Sequence, residues 1–115
     1  MHKVEDLKIW QKSISLTKQV YLLAANLPND EKFGLISQIK RSAVSIPSNI
    51  AEGAGRNTNN EFKHFLSIAN GSTYELQTQL KLIIELHLKE EKIIKPLIEL
   101  CIEIQKMNYV LQQKL

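Results

Sequence analysis

Along almost the whole of this 115-residue chain the apolar residues recur at threes and fours, and no useful stretch alternates apolar with polar. That periodicity commits the chain to helices, each with one apolar face that must be buried against another helix. Four segments carry it. In the first, Asp6 is placed to cap a helix running to about Ala25. Its stripe is Leu7, Trp10, Ile14, Tyr21 and Ala24, widened by Leu16, Val20, Leu23 and Leu27. Asn26-Leu27-Pro28-Asn29-Asp30 ends it, and Phe33 is expected to pack back onto it. The second segment runs from Gly34 or Leu35 to about Ala54, on Ile36, Ile39, Ala43, Ile46 and Ile50. The third follows a turn over Gly53–Asn60, with Asn59 or Asn60 as its cap, and carries Phe62, Phe65, Leu66, Ala69, Thr73, Leu76, Leu80 and Ile83. After a turn at Leu88-Lys89-Glu90 the fourth spans about Glu91 to Gln113, through Ile93, Leu97, Leu100, Ile104, Met107 and Leu111.

Four amphipathic helices joined by short connections predict an all-α fold, an antiparallel up-down-up-down four-helix bundle in a single domain. Two prolines disturb the pattern. Pro47 removes an amide donor inside the second helix and frees the carbonyl of Ala43. A kink there is expected, with that carbonyl taken by a hydroxyl, a water or a neighbouring chain; the alternative is two helices meeting at Ser45-Ile46-Pro47. Pro96 either lies in the first turns of the fourth helix or kinks it. Gly71 and Ser72, central in the third helix, would let another helix approach closely, which compensates the ~1 kcal/mol a helical glycine costs relative to alanine. A chain this size buries only about two-thirds of its unfolded surface, so self-association is a ready source of further burial.

No run reaches the ~20 apolar residues that span a bilayer, and the start, MHKVEDLKIWQ, lacks the apolar core of a signal peptide. A cytoplasmic protein that does not engage membranes is expected. Cys101 is the single cysteine and sits in an apolar run, so it reads as a small buried hydrophobe. The formal net charge is +3, carried by residues 1–60, where eight Lys/Arg face five Asp/Glu; residues 61–115 carry seven of each.

Chemistry-bearing motifs are scarce. Glu61 and His64 have the spacing of carboxylate-bridged di-metal bundles, but such a site needs that pair twice and two more glutamates. His2 and His87 have no recognisable partner, no nucleophile elbow is present, and Gly53-x-Gly55 lacks the rest of any phosphate-loop fingerprint. The expectation is no enzyme, no metal and no cofactor. The segment QIKRSAVSIPSNIAEGAGR, residues 38–56, is more informative. Lys40, Arg41 and Arg56 suit phosphate contact, Arg through its forked donors. Ser45 and Ser48 are placed to cover the backbone disturbed by Pro47, and Asn49 and Glu52, one turn apart, can bond each other or a facing helix. These four read either as a solvated polar face or as a functional, subunit-contacting surface. Tyr74, beside Gly71 and Ser72, is the aromatic residue most readily assigned to an interface.

Three stretches, DLKIWQKSISL, GLISQIKRSAVSIPSNIAEGAGR and EFKHFLSIANGSTYELQTQL, resemble the bacterial four-helix bundle proteins called 23S rRNA intervening-sequence proteins, or S23-type proteins. The resemblance covers essentially the whole chain and is weakest from His87 to Pro96, where relatives carry a Gly-Tyr-Leu-type turn. It implies a ring-like homopentamer without enzymatic activity. Some relatives are encoded within insertions in large-subunit ribosomal RNA genes. A related accessory protein of diversity-generating retroelements is a pentameric bundle that binds a reverse transcriptase. Two functional expectations follow. One is a homo-oligomer binding structured RNA or DNA, in which five copies would raise +3 to about +15. The other is a scaffold for a protein partner that itself handles nucleic acid.

Overall fold

A computed structural model describes residues 2–31 and 34–115, and the described residues form four α-helices with no strand: α1, Lys8–Ala24; α2, Leu35–Ala54; α3, Asn59–Glu85; and α4, Glu91–Gln113. The contact expected of Phe33 lies outside the described residues. At ~1.5 Å per residue α3 is about 40 Å long, and the molecule measures 43 × 22 × 19 Å. Each helix packs on its neighbours in sequence, and α1 closes onto α4. Ser42 faces Gln79, Ser45 faces Ser72, and Gly53 faces Phe62 and Phe65, so α2 and α3 run antiparallel.

Helix α1 starts differently from expectation. Val4–Asp6 forms a 3-10 turn, and Leu7 occupies the N-cap position without a side-chain acceptor. Asp6 therefore does not cap α1; its own amide is spent on the Lys3 carbonyl, and Gln11 ties the turn down by donating to the Glu5 carbonyl at 2.7 Å. The buried face is also rotated. Ile9, Leu16, Val20, Leu23 and Ala24 reach the core, whereas Ile14 and Tyr21 are 43% and 45% exposed. The wider set of apolar positions is thus the core face; of the expected stripe Ala24 is buried, Leu7 and Trp10 are partly buried against the core, and Ile14 and Tyr21 look outward.

Helix α2 continues through Pro47 as one helix. Thr17 of α1 donates its hydroxyl to the Ala43 carbonyl at 3.0 Å, while also lying 2.8 Å from the Ser13 carbonyl. The acceptor stranded by Pro47 is thus satisfied from the neighbouring helix. At Pro96, in α4, the freed carbonyl belongs to exposed Lys92, where water can serve.

Near its C-terminal end α2 meets α3 at Gly53. A Cβ there would lie 2.8 Å from Phe65 Cβ and 2.9 Å from Phe62 Cδ1, so only glycine lets the two helices come this close. At Gly71 the outcome is the reverse of the sequence reading: a Cβ would meet nothing within 4 Å. No helix of this chain uses the space it leaves.

Helix α3 is capped by Thr58, one residue ahead of the expected asparagines. Its Oγ1 accepts from the Glu61 amide at 3.1 Å, the N-cap bond, and donates to the Glu61 carboxylate at 3.0 Å. The helix ends at a Schellman arrangement, with His87 N–H donating to Ile84 and Leu88 N–H to Ile83, both at 3.0 Å. His87 takes φ 56°, the left-handed conformation that glycine fills more easily. In α4 the buried face is Ile94, Leu97, Cys101, Ile104 and Asn108, while Ile93 is 42% exposed. Asn108 donates to the Leu66 carbonyl at 2.8 Å and accepts from Gln112 at 2.6 Å, so a buried amide pins α4 to α3.

Candidate nucleic-acid interface

The three cations expected to touch phosphate do not form one patch. Lys40 and Arg41 lie in the first half of α2, and Arg56 follows its C-terminal end, about 24 Å away at ~1.5 Å per residue. Their surroundings differ as well. Arg56 is held by Glu52 at 2.9 Å, lies 3.9 Å from Glu61, and stacks its guanidinium 4.8 Å from the Phe65 ring centre. Two carboxylates and an aromatic face already use its charge at the α2–α3 corner. Lys40 is half-buried with its ammonium 5.1 Å over the Tyr21 ring, and Arg41 is exposed beside it. Neither forms an ion pair among the described residues. One helical turn before Tyr21, exposed Lys18 lies on the same side of α1.

The apolar period of α1 places Tyr21 in the core stripe. Its exposure follows from the rotation of α1, and it turns two charges into a basic edge with an aromatic ring in it. Below this edge the seam between α1 and α2 stays open as a cavity of about 360 Å³, walled by Trp10, Ile14, Val44, Pro47 and Ala51.

The polar residues of the central motif have mostly internal roles. Ser45 Oγ lies 2.8 Å from Ser72 Oγ, and Asn49 donates back to the Ser45 carbonyl and hydroxyl at 2.8 and 3.0 Å. The hydroxyl pair ties α2 to α3, while the Asn49 bonds stay within α2 and hold Ser45 in place. Neither Ser45 nor Ser48 covers the Ala43 carbonyl, because Thr17 has it, and Ser48 is exposed. Asn49 and Glu52 do not bond each other; Glu52 pairs with Arg56. Tyr74 is 54% exposed on α3, near the open space at Gly71.

The remaining chemistry-bearing residues have assigned environments. Glu61 is engaged by its cap and by Arg56, and His64 sits edge-on to Phe65 with ring centres 5.3 Å apart. Among the described residues no three His, Cys, Asp or Glu side chains gather as a metal cage. Burial pushes the Cys101 thiol up to about 12, so at neutral pH it carries no thiolate to act as a nucleophile. No helix among the described residues is long and apolar enough to cross a membrane.

Sequence reasoning missed Gly53, Asn108 and the buried Ser42–Gln79 contact. Gly53 is the first residue of the expected turn and reads as part of it, although it lies inside α2, and a lone amide in a helix gives no periodic signal.

Comparison with known proteins agrees with this architecture. No curated protein matches the sequence. A crystal structure of a protein with unknown function from the S23 ribosomal protein family, from Bacteroides thetaiotaomicron VPI-5482, superposes with a TM-score of 0.84 at 26% identity. The match covers 90% of this chain and 97% of that one. The family model described as 23S rRNA-intervening sequence protein matches residues 5–110. With the four-helix fold and nearly the whole length accounted for, this chain belongs to the 23S rRNA-intervening sequence protein family.

Proposed function

We propose that this protein is a non-enzymatic, self-associating bundle of the cytoplasm that binds structured RNA or DNA through the Lys40–Arg41 edge of α2. The observation that carries the reading is the Lys40 ammonium held over half-exposed Tyr21 with exposed Arg41 next to it, neither cation paired to a carboxylate. A phosphate arriving there meets charge that is still available, with a ring on which an unpaired base can stack. Arg56, already shared between Glu52 and Glu61, contributes less. Self-association, as a homopentamer on the family resemblance, would repeat the edge and strengthen a field that one +3 chain supplies weakly. The exposed Tyr74 and unfilled Gly71 on α3 support a copy packing on that face.

The test is binding of nuclease-treated protein to structured ribosomal RNA and to length-matched control RNA, at low and near-physiological salt. The K40A/R41A variant should bind more weakly at every sequence and lower the salt slope by about two, with R56A close to wild type. Unchanged binding by K40A/R41A sinks the assignment. Equal binding of both RNAs that vanishes at the higher salt moves the reading to a protein-binding scaffold, which the exposed apolar seam of Ile14 and Val44 favours.

A further inference from the structure

At the opposite end of the bundle from Lys40, the start of α1 and the end of α4 leave a second groove of about 360 Å³. Leu7, Ile9, Met107, Val110 and Leu111 supply its apolar surface, and Val110 is 50% exposed with nothing over it. The other lining residues are Lys8, Lys106 and Lys114. All three are exposed, and none forms an ion pair among the described residues. The neighbouring carboxylate of Glu103 is taken by Lys12 at 2.9 Å, and no acidic side chain lines the groove.

We infer that this groove receives a short amphipathic helix of a partner protein, apolar on one face and acidic along its flanks. Three features select that occupant. Lys106 and Lys114 are about 12 Å apart along α4 at ~1.5 Å per residue, with Lys8 on the facing wall. One carboxylate head group cannot answer charges so separated, whereas two turns of an acidic helix can. The apolar wall along those two turns suits anchors at i, i+3 or i+4, and i+7, the usual helix-in-groove pattern. A nucleic acid would instead lay phosphates over Leu, Met and Val, with no aromatic lining residue to stack on. The site is separate from the Lys40–Arg41 edge and does not depend on it.

The protein has two methionines, and Met107 lines the groove, so its ε-methyl carbon-13 signal reports occupancy. The probes are a synthetic helical peptide with leucine anchors flanked by glutamates, its counterpart with lysines in place of the glutamates, decanoate, and the ribosomal RNA used above. The acidic peptide should shift the Met107 methyl saturably and lose affinity as salt rises. The K106E/K114E variant, altered only at exposed positions, should bind it about tenfold more weakly or worse, while K40A/R41A binds it normally. Several results overturn the proposal: no Met107 shift with the acidic peptide, or equal binding of the basic one. A shift with decanoate or RNA but not the peptide also overturns it. So does a shift on raising protein concentration alone, which assigns the groove to a second copy.

Discussion

At the scale of single residues, the most consequential contact is the Thr17 hydroxyl on the Ala43 carbonyl. An unsatisfied buried carbonyl costs about 1–3 kcal/mol, so Thr17→Val, nearly isosteric, should destabilise the fold by that order. Restoring an amide at position 47 removes the need for the hydroxyl. Thr17→Val should therefore cost clearly less in a Pro47→Ala background than in the wild type. Urea unfolding of the two single variants and the double variant measures this coupling, and strictly additive effects would refute it. The need for a donor at Ala43 was legible in the sequence, because proline always strands that acceptor. Its supplier was not, since which residue of another helix faces Ala43 depends on the register between helices.

At the scale of elements, all four helices were legible and their ends fell within a residue or two, because caps, prolines and apolar periods are local signals. What failed was rotation about the helix axis. In α1 and α4 apolar residues cover more than the buried arc, so the period alone points Ile14, Tyr21 and Ile93 inward although the neighbours leave them outside. The same limit hid the candidate site: Tyr21 became part of a basic edge only once α1 was oriented. The two helical glycines show the reverse problem, one residue type with opposite structural meanings. Gly53→Ala should lose about 1–3 kcal/mol through overpacking against Phe62 and Phe65, more than the ~1 kcal/mol helix propensity returns. Gly71→Ala meets open space within one chain and should stabilise an isolated bundle by up to ~1 kcal/mol. If copies pack on that face the added methyl should instead weaken the assembly, and light scattering beside thermal unfolding separates the two effects.

At the scale of the whole molecule, burial of Cys101 couples the fold to alkaline pH. The thiol ionises near 9.0 when unfolded and near 12 when folded. The unfolded chain loses its proton first, so stability is intact below 9.0 and falls as pH rises from there toward 12. The loss approaches ~1.4 kcal/mol per pH unit. Cys101→Ala removes this contribution while keeping every lysine and tyrosine. The gap between the two proteins in urea unfolding should therefore move in favour of the variant between about pH 8 and pH 10. An unchanged gap would mean the thiol is not sealed in the core.

The hydroxyl from α1 that closes the break in α2 also constrains the order in which this sequence can drift. A lineage that first replaces Pro47 with a residue bearing an amide hydrogen releases Thr17, which can then change without leaving an acceptor stranded. A lineage that first loses the hydroxyl must pass through a weakened intermediate. Descendants should accordingly show proline at 47 together with a donor at 17, or neither, or the donor alone. The combination of proline without a donor should be rare.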